Sequence, residues 1–306
     1  MALKIIIPER THEEFGDSIS KLLKVINLIT QSSESKIELD FSQARMLNPF
    51  FLGGLVCSLK YFQTKGKDIS LNHNENLNIK SYLDRIFFPQ CLSPIKDDET
   101  GFFQKLETYK NKTYIPIISF PTGFDQYHDT IREKVLSAVS SLLKNQLDFK
   151  EKDLRPLAYL LDEMSHNVND HSGSELGYIF AQFYPGNNYL DLVICDNGKG
   201  IFRSYEGNPK FKPTDESEAL KFAINGKSTK DRSESRGFGI STSRKMLVQG
   251  LRGKFFIWTG NSAYIETVER NDFFNIPVSY YFQGTFVALR IPTIIPDRFN
   301  FYEYLE

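Results

Sequence analysis

Hydrophobic and polar positions repeat with two different periods along the chain, and the two halves combine them differently. LKIII (3–7) is a short apolar run of strand character. From 13 to 30, Phe15, Ile19, Leu22, Leu23 and Val25 to Leu28 recur at the three- and four-residue spacing that turns one helix face toward a core. KIELDF (36–41) alternates as a strand, and after a turn FFLGGLVCSLKYFQTKG (50–66) reads as a helix. DISL (68–71) is a further strand and 77–88 a further helix. Strand and helix taken in turn three times predict a small α/β unit with helices against a sheet.

The second half reads otherwise. TYIPIISF (113–120) restarts strand character, and 128–148 and 153–171 carry two long helical patterns. GYIFAQFYPG (177–186) and NYLDLVICDNG (188–198) are strands joined through Pro-Gly-Asn, a hairpin signal. The stretch 203–236 is polar, a helix resumes at about 239–249, and strands follow in GKFFIWTG, the aromatic-rich 262–282 and GTFVALRIP (284–292). This half is expected to be an α+β two-layer sandwich, a mixed and mostly antiparallel sheet with helices on one face. The polar, charge-rich stretch 92–112 joins the halves, with room for an element of its own. The expected division is 1–95, a connection at 96–112, and 113–306.

Composition narrows the classes. A chain of 306 residues, 41% hydrophobic and 25% charged, can bury sizeable cores and suggests about two domains. Its formal net charge of -1 provides no basic field toward nucleic acid or an anionic membrane. The longest apolar stretch, Phe50 to Leu59, is about half of a bilayer span, and MALKIIIPER is too short an apolar run for a signal peptide. Cys57, Cys91 and Cys195 are far apart, in neither metal-ligand nor disulfide-framework spacing. A cytoplasmic protein with no membrane anchor is expected.

Candidate chemistry is concentrated in four stretches. In LDEMSHNVNDHSG (161–173), Glu163, Asn167 and His171 stand four apart and so share a helix face, beside an apolar side of Leu157, Leu160, Leu161, Met164 and Val168. That column is either a solvated stripe or one wall of a site. In VICDNGKGI (193–201), Asp196 follows a strand, and Gly198 and Gly200 allow a tight turn and close backbone approach to a bound group. A carboxylate there can accept a hydrogen bond from an exocyclic amine such as that of adenine, although Asp-Asn-Gly is also a common hairpin turn. In SRGFGISTSRKMLVQG (235–250), Gly237 and Gly239 precede a helix, an arrangement whose bare N–H groups suit phosphate. It matches neither the dinucleotide fingerprint nor a P-loop. Thr285 opens the last strand.

In this order, E-x-x-x-N on a helix, D-x-G-x-G after a strand, G-x-G before a helix and G-T opening a last strand resemble the GHKL (Bergerat-fold) ATPase and kinase superfamily, over roughly residues 113–292. The resemblance implies ATP and Mg²⁺ as ligands. Asn167 would hold Mg²⁺ against the triphosphate, and Glu163 would orient or deprotonate the attacking water or hydroxyl. Asp196 would bind the adenine amine, with Gly198, Gly200 and Ile201 at the base pocket and Thr285 near the ring. Gly237, Phe238 and Gly239 would lie under the phosphates, and His171 falls at a phosphate-side polar position. The stretch 203–236 resembles the ATP lid, in which Lys227, Ser228, Thr229, Lys230 and Arg236 are candidate phosphate contacts.

DFSQARMLNPFFLGGLVCSLK (40–60) resembles the strand-turn-helix of a STAS domain, the fold of anti-sigma-factor antagonists, over about residues 1–95. Such domains carry an Asp-Ser pair at the turn, the Ser being the phosphoacceptor. Asn48 and Pro49 stand there in this chain, so phosphorylation at that place is not expected. Three functions follow from the resemblances: an ATP-driven interaction switch with slow hydrolysis, a Ser/Thr protein kinase acting on a separate STAS-like partner, or a nucleotide-binding module without turnover. Aromatic strands between 255 and 286 are expected to be core, or alternatively a homodimer or partner surface.

Overall fold

The computed structural model describes residues 2–11, 15–95, 98–147, 151–227 and 239–304. The N-terminal alternation resolves as β1 (Leu3–Ile6), α1 (Asp17–Gln31), β2 (Lys36–Asp40), α2 (Pro49–Thr64), β3 (Asp68–Asn72) and α3 (Leu77–Arg85). Its strands form a parallel sheet in the order β1-β2-β3. The outer face is polar: Lys4 reaches Asp40 at 2.8 Å, and Asn72 donates to Glu38 at 3.1 Å. The Lys4 ammonium and the Ser42 backbone N–H hold the Asp40 carboxyl down at about 2.

The charge-rich connection carries a helix, α4 (Glu99–Glu107), whose Phe102 and Leu106 are fully buried; it is part of the core. Its start is fixed by Asp98, which caps the N–H groups of Thr100 and Gly101. Then come β4 (Tyr114–Pro121), α5 (Gln126–Leu147), α6 (Glu151–His171), β5 (Leu176–Tyr184), β6 (Tyr189–Asp196), α7 (Gly200–Ser204), α8 (Glu216–Ile224) and α9 (Gly239–Lys245). Strands β7 (Lys254–Gly260), β8 (Ser262–Glu266), β9 (Asn271–Asn275) and β10 (Phe282–Pro292) close the chain. All seven strands of this half form one sheet, β4-β5-β6-β10-β7-β8-β9, with every neighbouring pair antiparallel. The last strand is inserted at the centre, between β6 and β7.

Because side chains alternate along a strand, the large sheet feeds two cores. Leu190, Leu192 and Ile194 of β6 join the core under α5, α6 and α8, while Val193 and Cys195 join a second core with α1 and α2. Helices therefore cover both faces, where the sequence suggested only one. The cause is visible in α2, which is apolar on every side: Pro49 to Leu59 are all buried. A helix without a polar face must be buried all round, and α2 lies between the two sheets. Two glycines permit the approach. A Cβ at Gly53 would stand 2.9 Å from Val193 Cγ1, and one at Gly54 would run into Leu22 and lie 3.0 Å from the Phe286 ring.

A buried ion pair holds the same interface. Arg290 donates to both carboxylate oxygens of Asp191, at 2.7 and 2.8 Å, while its guanidinium lies 4.0 Å from the Tyr189 ring centre and 5.6 Å from that of Phe50. The three cysteines are buried and none forms a disulfide. Cys195 Sγ donates to the Gly53 carbonyl at 3.6 Å, and burial pushes the Cys57 thiol well up. The helix that begins at Pro49 is capped by Asn48, whose Oδ1 accepts from Phe51 N at 3.1 Å and whose amide donates to Ser18. Among the described residues no helix is long and apolar enough to cross a membrane.

Candidate functional site

Strand register puts three polar residues in one row. Thr285 of β10 lies opposite Asp196 of β6 on one side and opposite Thr259 of β7 on the other. All three stand at the same end of the central strands, on the α6 side of the sheet. Asp196 is 1% exposed, and no ion pair with it occurs among the described residues. Its carboxylate accepts the Gly198 N–H at 2.9 Å and a further backbone N–H from Thr285. Burial without a cation outweighs those two donors and raises its carboxyl to about 7. A buried acid raised in this way, beside a glycine-rich loop, is a candidate functional residue.

The loop after Asp196 is fixed by protein on every side. A Cβ at Gly198 would strike the Ser172 carbonyl, and Lys199 N donates to that same oxygen at 2.7 Å. Gly200 has φ +76°, and a Cβ there would be 2.9 Å from Thr259 Oγ1. Ile201, buried, donates its N–H to Thr259 Oγ1 at 3.0 Å. The expected close approach at these two glycines is thus filled by backbone and by a hydroxyl of the chain itself. The G-T of the last strand has a similar cause: β10 bulges between Phe282 and Thr285, Gly284 sits at φ +94°, and a Cβ there would collide with Asp196. The bulge aims Gln283 so that its amide donates to the Gly198 carbonyl.

Helix α6 links this loop to the second glycine-rich stretch. Glu163 Oε2 accepts the N–H of Gly239, the first residue of α9, at 3.1 Å. Gly239 has φ +66°, and no atom of the described residues lies within 4 Å of where a Cβ would stand. One turn further along α6, Asn167 Nδ2 is buried without a hydrogen-bond partner among the described residues; leaving such a group unsatisfied costs about 1–3 kcal/mol. His171 is half-buried at the end of the helix, next to the Ser172 that bonds Lys199. From Glu163 to Ser172 the helix rises about 13 Å at ~1.5 Å per residue, so the polar column runs from one glycine loop to the other. The neighbouring Asn169 faces away: it accepts from Gly123 N at 2.9 Å and from Arg132 at 2.8 Å.

Gly237 and Phe238, with Ser228, Thr229, Lys230 and Arg236, lie outside the described residues. Lys227 does not point freely toward the column, since its ammonium lies 3.8 Å from the Phe222 ring centre. The supposed lid also contains α8, with Ala219, Leu220 and Ile224 packed in the core. Among the described residues no cluster of three or more His, Cys, Asp or Glu could hold a metal unaided. Thr259 was not singled out in the sequence. Its only local signal is a hydroxyl ending the buried run FFIW before a glycine, and its neighbours come from β10 and α7. No family model, curated protein or solved structure matches the chain.

Proposed function

We propose that the chain is an ATP-binding protein of the histidine-kinase-like ATPase type, whose C-terminal half is a Bergerat-type nucleotide domain and whose N-terminal half is STAS-like. In this reading ATP binding with slow hydrolysis drives a change of interface. One observation carries it: Asp196, a buried carboxylate with no ion pair among the described residues, stands in a row with Thr285 at the end of the central strands. An exocyclic amine would add a further donor to the two backbone N–H groups that the acid already accepts from Gly198 and Thr285. The 6-oxo group of guanine would face it with a second acceptor instead.

The other residues take roles consistent with a ligand extending from Asp196 along α6. Asn167 would turn its Oδ1 to a triphosphate-bound Mg²⁺, which takes oxygen ligands, leaving Nδ2, buried and without a hydrogen-bond partner among the described residues, to donate to a phosphate oxygen. When bound, the ion would neutralise charge on the phosphate oxygens. Glu163 holds the Gly239 N–H; a phosphate oxygen competing for that N–H would release the carboxylate to orient or deprotonate a nucleophile. Gly239, whose φ of +66° favours glycine, would present its N–H to a phosphate there.

The test is incubation of the pure protein with γ-labelled ATP and Mg²⁺, alone and with a candidate STAS-like partner. Free phosphate supports the switch, label on the partner supports the kinase, and binding without either supports a module without turnover. General-base help is worth about 10²–10⁴-fold, so Glu163→Ala is expected to lose most turnover and keep ATP affinity. Loss of affinity with residual rate unchanged would remove Glu163 from this role, and failure of the parent protein to bind ATP would remove the reading altogether.

A further inference from the structure

Within that nucleotide reading, on which this rests, we infer that Thr259 is a positioning residue that sets base selectivity without touching the base. Its hydroxyl is buried, at 1% exposure, and does two things at once. It accepts the Ile201 N–H at 3.0 Å and donates to the Gly284 carbonyl at 3.0 Å. Ile201 ends the loop that begins at Asp196, and Gly284 is the bulge residue packed on Asp196. The loop is gripped a second time at Gly198, where the Gln283 amide from the same bulge meets its carbonyl. The Thr259 hydroxyl and the Gln283 amide together hold the loop that follows Asp196 against the bulge that presents Thr285.

The chemistry of the position is narrow. A group must accept from an N–H and donate to a carbonyl in the space beside Gly200, whose Cβ position is 2.9 Å from Oγ1. Hydroxyls do both, a thiol does so weakly, and an isopropyl does neither. The β6–β10 ladder keeps the backbones of Asp196 and Thr285 paired. Without the tie, the 198–201 loop can shift against the bulge, and with it the Gly198 N–H that orients the Asp196 carboxylate. Discrimination between an amine and a carbonyl on the purine edge depends on how that carboxylate is aimed. A buried hydroxyl that served packing alone would affect both purines alike.

The experiment is equilibrium binding of ATP and GTP, each with Mg²⁺, to the full chain and to three variants. Thr259→Val is expected to weaken ATP about tenfold or more and GTP little, so that the ATP-over-GTP ratio collapses, whereas Thr259→Ser keeps the parent ratio. Thr259→Cys falls between them and serves if the Val variant does not fold. Equal weakening of both nucleotides, or a Ser variant as unselective as Val, would overturn the role of the hydroxyl. If the parent chain binds ATP but Val retains its ratio, Thr259 fails and the nucleotide reading stands. If the parent binds neither nucleotide, the reading itself fails and takes this inference with it.

Discussion

Asp196 is the residue at which the electrostatics are most exposed to test. Its carboxyl is raised from 3.8 to about 7 in the fold, chiefly by burial. Between those values the folded state keeps a proton that the unfolded chain has lost, so stability falls as pH rises from about 4 to about 7 and is flat above. The slope contributed is at most about 1.4 kcal/mol per pH unit. Asp196→Asn removes it. Denaturant titrations of the two proteins are expected to coincide near pH 4 and to favour the variant at pH 8. Nucleotide binding has the opposite trend, because an amine donor needs the ionised acid. The parent's ATP affinity is expected to rise with pH through 7 while that of the Asn variant is lower and flat; parallel pH profiles would show that the acid is not the acceptor. Asp196 could be picked out from the sequence because it follows an apolar strand. Its burial without an ion pair among the described residues could not, since that depends on which charges the other strands bring.

Among the elements, α2 gives the clearest prediction. Replacing a helical glycine by alanine normally gains about 0.5–1 kcal/mol, but at Gly53 the new methyl meets the stiff β-branched Val193 at 2.9 Å. Overpacking of this kind typically costs 1–3 kcal/mol, so Gly53→Ala is expected to destabilise. Val193→Ala alone opens a cavity, and the double variant is expected to be less damaged than the sum of the two, a coupling readable in a double-mutant cycle of urea midpoints. Additive losses would mean that the contact is not tight. The elements themselves were largely legible: strands and helices of the N-terminal half, the Pro-Gly-Asn hairpin and the helix after Gly239 all fall where periodicity puts them. Less legible were α4, hidden in a charge-rich stretch by only Phe102 and Leu106 facing inward, and α8, whose buried positions are just three residues. The aromatic stretch divides by strand: Phe255, Phe256 and Trp258 are core, whereas Phe273 and Phe274 of the edge strand β9 are 40% and 43% exposed.

At the scale of the whole molecule, the two halves share one of the two cores. Val193, Cys195, Phe256, Trp258 and Phe286 of the large sheet are buried together with Leu22, Leu52, Leu55 and Val56 of α1 and α2. The uniformly apolar sequence of α2 announces burial on all sides, but which surface covers its second face is a long-range fact that no local pattern encodes. A fragment starting near residue 105 would uncover that apolar face, and it is expected to aggregate or to bind a hydrophobic dye. A soluble, dye-silent fragment with the parent's ATP affinity would show that the second core is dispensable. The same architecture supplies a spectroscopic handle. Trp258, the chain's single tryptophan, is buried on the α2 side with its ring centre 4.8 Å from that of Phe282, while the next residue, Thr259, faces the opposite side. Its intrinsic emission thus arises one peptide unit from the loop anchor and inside the seam between the halves, so excitation at a single wavelength should register both ligand uptake and separation of the seam without any added label.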